Sequence, residues 1–255
     1  MPEARIARLL ADLVGRLPDA VPVLGLYAAG SLGTLDFEPE RSDLDLVAVL
    51  EKAPDEEELA ALTSLHKDLE RTSPLGRRLH CLYVARPELD STTRGWPYWA
   101  DGKIRSRTFS AITRIELHDH GVVVAGEPIP ARIPYVTHEE LVDAVRTELA
   151  KVWLPASRRR LRWYDDTWVD LALTTLPRAR ASITDGELLT KTQAIARLTE
   201  FGVPEWLRQD ILARRRGWAR EHGLRFRHRR ARLTRRVVHA GVERLLSDVS
   251  GSGER

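Results

Sequence analysis

The segment "AAGSLGTLDFEPERSDLDLVAV", residues 28–49, decides the fold. It joins a small-residue turn, Gly30-Ser31, to two aspartates, Asp43 and Asp45, at alternate positions at the mouth of an apolar run. In a strand, residues i and i+2 share a face, so both carboxylates project together while Leu44 and Leu46 turn to the other side. Two converging carboxylates repel each other and lose hydration unless a cation lies between them. Their hard oxygens suit Mg²⁺, which completes its shell with water and substrate phosphates. Gly30 lets the chain approach a ligand closely, and the N–H groups of the Gly30-Ser31 turn offer a phosphate cradle, with Ser42 on the same nucleotide side. The combination predicts metal-assisted nucleotidyl transfer, with Asp43 and Asp45 as both catalytic residues and metal ligands. A bare Asp-x-Asp pair would equally describe a solvated loop running into a strand; the preceding strand and Gly-Ser turn make the pattern far more specific.

Working outward, "VPVLGLYAAG" reads as the strand before this loop and "LDLVAVL" as a central strand after it. Before them, Ile6, Leu9, Leu10, Leu13, Val14 and Leu17 have the spacing of an amphipathic helix. "PDEEELAALTSLHKDLERT" predicts a helix with acids in its first turn, and "RLHCLYVA" a third strand. "ITRIELHDHGVVVAG" is expected to form a strand pair, or a strand and turn. The proline-rich "GEPIPARIPYV" suggests a boundary, after which the pattern is helical. Thr137 and Glu140 form a capping box, Pro177 is expected to kink or break a long helix, Asp185-Gly186 marks a turn, and "RLTRRVVHAGVERLL" closes the chain as a last helix.

Composition narrows the class. The chain has 255 residues, 43% hydrophobic and 30% charged, which is enough for one large or two modest globular domains. No apolar run reaches the roughly 18 residues of a membrane span, so no membrane partner is expected. A single cysteine, Cys81, fits a reducing, cytoplasmic setting. The net charge is only +3, and arginine supplies most of the positive charge.

The run of strand, Gly-Ser, eleven residues and then Asp-Leu-Asp entering an apolar strand resembles the nucleotidyltransferase superfamily that includes DNA polymerase β. With "ITRIELHDHGVVVAGEPIP" and "LPRARASITDGELLTKTQAIARL", the chain is similar to the streptomycin/spectinomycin adenylyltransferases. The resemblance implies an α/β nucleotidyltransferase domain with a small mixed sheet, residues 1–132, followed by an all-α helical bundle, 133–255, that closes over nucleotide and acceptor. It implies ATP as co-substrate, Mg²⁺ as cofactor, an aminoglycoside hydroxyl as acceptor, pyrophosphate as product, and antibiotic resistance as the consequence. The protein is expected to act as a monomer. Lys191 matches the lysine that reaches the triphosphate, and Arg178 the arginine before it. Thr190 and Gln193 read as a capping box that puts Lys191 in the first turn of a helix.

One departure stands out. The family carries a third carboxylate on the next strand as base, and the matching position here is His80. Three readings stay open. His80 is the base, its neutral form favoured by nearby metal; or two carboxylates suffice for a weak catalyst; or His80 is an ordinary half-buried histidine and the base lies elsewhere, with Glu116 a candidate. For a cationic acceptor, "RWYDDTWVD" offers Asp165, Asp166 and Asp170 beside Trp163 and Trp168, and "WPYWADGKIRSR" adds Trp96 and Trp99. Helix caps and core tryptophans are the plain alternatives. The arginine-rich "ARRRGWAREHGLRFRHRRARLTRR" reads as the solvated face of an amphipathic bundle, with nucleic-acid binding the less favoured reading. An RNA or protein acceptor, and a non-catalytic nucleotide-binding relative, are the alternatives to an aminoglycoside transferase.

Overall fold

"LDLVAVL" forms β2 (Leu44–Leu50), buried on both faces as its unbroken apolar run predicts. The structure is a computed structural model that describes residues 2–39, 41–128, 133–218 and 221–247. β1 (Val23–Ala28) pairs antiparallel with β2, and β3 (Leu79–Ala85) pairs parallel with it on the other side. A parallel pair needs a crossover, and α3 (Glu56–Thr72) supplies it. Asp55 and Glu58 start that helix with a reciprocal capping box, and Glu56 and Glu57 add charge complementary to its N-terminal dipole.

The hairpin β4 (Gly95–Ala100) and β5 (Lys103–Thr108) extends the sheet past β3, and β6 (Val122–Gly126) closes the other side in the order β5-β4-β3-β2-β1-β6. Asp101 and Gly102 turn the hairpin with φ of 50° and 75°. Such a two-residue turn needs positive φ at both positions, which Asp-Gly tolerates well. Of "ITRIELHDHGVVVAG", only the last part is strand. Ala111–His120 is a helix, α4, capped by Ser110, with Ala111, Arg114 and Leu117 on its buried face. The expected strand pair is thus corrected: that three-residue spacing is helical rather than alternating.

The sheet separates two cores. Leu46, Ala48, Cys81, Tyr83 and Trp99 pack with Leu9, Leu13 and Leu17 of α1 (Pro2–Ala20) and with Leu62, Leu65 and Leu69 of α3. Val47, Val49, Leu82, Val84 and Trp96 face Phe109 and Leu117 on the other side. Asp43 and Asp45 share this second face with Val47 and Val49, so one sheet face is apolar at one end and carboxylate-bearing at the other.

Contacts divide the chain into two units, 1–136 and 137–255, where sequence reading puts the division at 132/133. Residues 129–132 of that boundary lie outside the described residues. The second unit is helical: α5 (His138–Glu148), α6 (Leu154–Arg158), α7 (Asp166–Asp185), α8 (Lys191–Ala196), α9 (Glu205–Arg215) and α10 (Leu224–Ser247). The Thr137–Glu140 capping box forms as read. α7 runs on through Pro177, whose ring is buried; packing holds the helix across the missing N–H, and the expected break does not occur. Gly186 ends α7 at φ 70°, the left-handed cap that the Asp-Gly pair supplies.

The arginine run is only partly a solvated face. Arg214 and Arg230 are 8% and 1% exposed. Arg214 grips Asp170 with bonds of 2.6–3.2 Å and also pairs with Asp210, while Arg230 donates to Asp166 at 2.5 Å. His222 lies 2.6 Å from the second oxygen of Asp210 and stacks on Phe226. Leu224 and Trp218, the apolar residues that interrupt the run, are exposed as well. No helix among the described residues is long and apolar enough to cross a membrane.

Candidate active site

The parallel register sets Asp45 opposite His80. Opposed residues of neighbouring strands share a face, so the imidazole arrives beside both carboxylates: Nδ1 is 3.5 Å from Asp45 Oδ1 and 4.0 Å from Asp43 Oδ2. The His80 side chain is 16% exposed, against 46% for Asp43 and 41% for Asp45, so the cluster opens to solvent through its acids. Burial alone would favour neutral imidazole. The hydrogen bond to Asp45 and the charges of Asp43, Asp45 and Asp101 together outweigh it, and the His80 pKa lies above its ordinary value.

Gly30 is required twice. Its φ is 60°, and a Cβ there would stand 2.7 Å from Asp45 Oδ2. The Ala29 N–H donates to the Asp45 carbonyl at 2.8 Å, tying the turn to β2. Gly30–Gly33 then makes a single helical turn, α2, which holds Ser31 half-buried, while Thr34 donates from both its N–H and hydroxyl to the Gly30 carbonyl. The backbone of Gly30-Ser31 therefore lies directly beside the carboxylate of Asp45.

Ser42 is placed differently from its sequence reading. Its hydroxyl accepts from the Glu38 N–H at 2.9 Å and is 9% exposed, so it closes the loop rather than facing a ligand. Arg78, which sequence reasoning missed, donates to the Ser42 carbonyl at 3.1 Å and also to the Pro39 carbonyl. It pins the segment that delivers Asp43. Tyr98 was missed as well. Its ring stands edge-on to His80 with centroids 5.8 Å apart, and the Arg107 guanidinium lies over it at 4.8 Å. The signal was present: Asp101-Gly102 between two alternating runs is a hairpin signature, and the hairpin places Tyr98 in register with Leu82 on the His80 face.

The acceptor candidates fare less well. Trp99 is fully buried and stacks on His66 with centroids 4.7 Å apart, a core position that no acceptor reaches, so this assignment is corrected. Trp96 and Trp163 are likewise core residues. Asp165 is the N-cap of α7, accepting from Thr167 and Trp168 N–H at 2.8 and 3.2 Å. Asp166 and Asp170 are engaged by Arg230 and Arg214, so their charge is already matched. These three aspartates have structural partners within the bundle, while Asp165 and Asp166 remain exposed. Trp168 lies under Arg162 at 3.8 Å.

Lys191 is exposed in the first turn of α8, behind the Thr190–Gln193 capping box that the sequence predicted. Arg178 donates from Nε to the Leu189 carbonyl at 2.9 Å, bracing the segment just before that cap. Glu116 lies on α4, not on a strand of the sheet.

Among the described residues, no group of three or more His, Cys, Asp and Glu side chains is arranged to hold a metal by itself. The donors present nonetheless fit Mg²⁺: two hard carboxylates on one face, and the space a Gly30 Cβ would fill beside one of them. Mg²⁺ held this way draws its remaining ligands from water and phosphate.

No protein-family model matches the chain, and no curated protein matches it in sequence. Among solved structures, it is similar to spectinomycin adenyltransferase from Enterococcus faecialis, determined with ATP and spectinomycin. The TM-score is 0.71 at 16% identity, covering 92% of this chain and 98% of that one. The chain therefore shares the fold of that adenyltransferase, an α/β sheet region followed by a helical one.

Proposed function

We propose that the chain is a Mg²⁺-dependent nucleotidyltransferase that moves AMP from ATP to an acceptor hydroxyl and releases pyrophosphate. One observation carries the reading: His80 lies within 4.0 Å of both Asp43 and Asp45, directly beside the positive-φ Gly30 turn. A surface strand that merely solvates its aspartates needs neither a positive-φ glycine against one carboxylate nor a registered histidine between the two.

In this reading the Gly30-Ser31 turn binds phosphate, and Asp43 and Asp45 hold the metal, which when bound offsets charge on the triphosphate. His80 is placed to take the acceptor proton. Its carboxylate neighbours favour the imidazolium, so the base role requires their charge to be offset by another cation. From the resemblance, Lys191 and Arg178 contribute to nucleotide binding; Arg178 also donates to the Leu189 carbonyl just before the α8 cap. A free, buried Cys81 agrees with a cytoplasmic site of action.

The test is pyrophosphate release from MgATP with spectinomycin, streptomycin and other hydroxylated acceptors, each against a control without acceptor. Acceptor-dependent release supports the transferase. ATP binding without release across every acceptor class would make the chain a nucleotide-binding relative. His80→Ala should lose turnover while keeping ATP affinity; an unchanged rate would remove His80 from the mechanism.

A further inference from the structure

The last helix, α10, carries eight arginines and one acid, Glu243. Its buried face is built from Arg230, Ala231, Thr234, Val237, Val238 and Gly241, continuing to Leu245. At about 100° per residue, Arg225, Arg229, Arg232 and Arg236 fall together on the opposite face, and all four are exposed. Their row runs about 16 Å along the helix axis. Glu243, further along the same face, is engaged by His239 at 3.4 Å. Among the described residues no carboxylate pairs with any of the four arginines. Arg229 lies over the half-buried Trp206 ring at 4.8 Å, which leaves its charge unmatched by an acid.

This arrangement works against the helix that bears it. Like charges three and four residues apart on one face are destabilising. The first turn holds no acid to complement the positive end of the helix; Arg225 and Arg227 stand there instead. Solubility asks for both signs interspersed, not for a row of one sign. A row of cations that starts at a positive helix end is matched by a polyanion.

The head of the row narrows the choice of polyanion. Tyr164, Leu224, Arg225 and His228 line an open cavity of about 480 Å³, within the size range of small-ligand sites. Its aromatic wall is fixed in place: the Tyr164 hydroxyl is 2.7 Å from His228 Nδ1, and Arg227 donates to the Tyr164 carbonyl at 3.2 Å. Leu224, 79% exposed, forms an apolar edge. Rings and an apolar edge beside a guanidinium suit one unstacked base with its phosphate. A membrane surface suits the row less well, because an interfacial helix inserts its apolar face and that of α10 is buried in the bundle. A duplex offers phosphates but keeps its bases stacked.

We propose that the outward face of α10 is a docking surface for a single strand of nucleic acid, with one base in the Tyr164–His228 cavity and successive phosphates on Arg225, Arg229, Arg232 and Arg236. The surface lies within the helical unit, uses no residue assigned to the nucleotidyl-transfer site, and does not depend on that reading.

Binding is measured by fluorescence anisotropy on the full chain, without ATP or Mg²⁺, using a labelled 12-residue single-stranded RNA, the same sequence as DNA, and its duplex. Vesicles of phosphatidylserine and phosphatidylcholine are tested in parallel by co-sedimentation. The expected result is single-strand binding, by RNA or DNA, that weakens with salt. In the triple variant Arg225→Gln, Arg232→Gln, Arg236→Gln the log–log slope should fall by about 2, since each single-strand phosphate contributes roughly 0.7. Arg8→Gln, Arg77→Gln, Arg86→Gln removes three exposed arginines of the sheet unit and should leave the slope unchanged. Tyr164→Leu should weaken binding about tenfold with no change of slope, because it removes a stacking ring and no charge. No single-strand binding, an equal loss in the sheet-unit variant, tighter binding of the duplex, or vesicle binding through the α10 arginines in place of oligonucleotide binding would each overturn the proposal.

Discussion

Gly30 is where the account is most exposed to a single substitution. Gly30→Ala places a methyl group 2.7 Å from Asp45 Oδ2 and imposes a left-handed backbone on an L-residue. The strain costs roughly 1–2 kcal/mol, and the clash moves the carboxylate we propose as a metal ligand. Thermal unfolding should show a modest loss, and MgATP affinity a larger one; an affinity unchanged from wild type would detach Gly30 from the nucleotide. The carboxylate pair and the glycine were legible from residue types and spacing alone, because period-two geometry needs no tertiary information. Trp99 was not. A tryptophan beside a site and a tryptophan beneath it read alike in sequence, and only the register, which puts Trp99 opposite Cys81 in the α1–α3 core, separates them. The structural partners of Asp165, Asp166 and Asp170 were hidden for a related reason. Their partners are a backbone turn 2 residues on and arginines 64 and 44 residues away, and no local pattern announces the arginines.

At the scale of elements, the loop between the Gly30-Ser31 turn and β2 depends on a partner from the turn that leads into β3. Arg78 holds the Pro39 and Ser42 carbonyls from the residue preceding β3, so β3 supports Asp43 as well as presenting His80. Arg78→Ala should cost at most about 1.5–3 kcal/mol of stability per lost charge-assisted bond. It should also reduce turnover more than it weakens ATP binding, because Asp43 loses its fixed approach. Arg78→Lys, which keeps the charge but loses the planar fork, should restore stability better than turnover. Equal recovery of both would mean that Arg78 acts only on folding. The hairpin belongs to this scale too. The Asp101-Gly102 signature lay in view, but its consequence for Tyr98 and Arg107 needed the β3–β4 pairing, which brings together residues far apart in sequence. The α4 segment was misassigned because its valine-rich neighbour, β6, lent it an apparent strand character.

At the scale of the whole molecule, two buried polar centres govern stability, one in each unit. In the helical unit, Arg230 and Arg214 pair with Asp166, Asp170 and Asp210, and His222 also meets Asp210. Removing one cation leaves buried carboxylate uncompensated, so Arg214→Ala should destabilise by about 3–5 kcal/mol, read by denaturant unfolding. A loss below about 1 kcal/mol, the range of surface pairs, would show that water reaches the network.

In the sheet unit, His66 stacks on Trp99, sits 2.6 Å from the Tyr83 hydroxyl, and is held neutral by burial, its pKa pushed down to about 3. The unfolded chain binds a proton on this residue below its ordinary value of 6.5, and the folded chain does not until about 3. Stability therefore falls as pH drops between those limits, by at most about 1.4 kcal/mol per pH unit from this group. His66→Gln should flatten that slope; an identical slope in the variant would place the acid sensitivity elsewhere.

The central claim is that Asp43 and Asp45 make a metal-dependent nucleotide site, and it can be tested before any acceptor is known. Calorimetric titration of ATP into the protein, with Mg²⁺ and with chelator, for wild type and Asp45→Asn, is the most direct measurement. The account predicts binding that requires Mg²⁺ in the wild type and weakens by about tenfold or more, roughly 1.4 kcal/mol, in Asp45→Asn without a lower unfolding temperature. ATP affinity that is the same in both proteins, or indifferent to Mg²⁺, would contradict it.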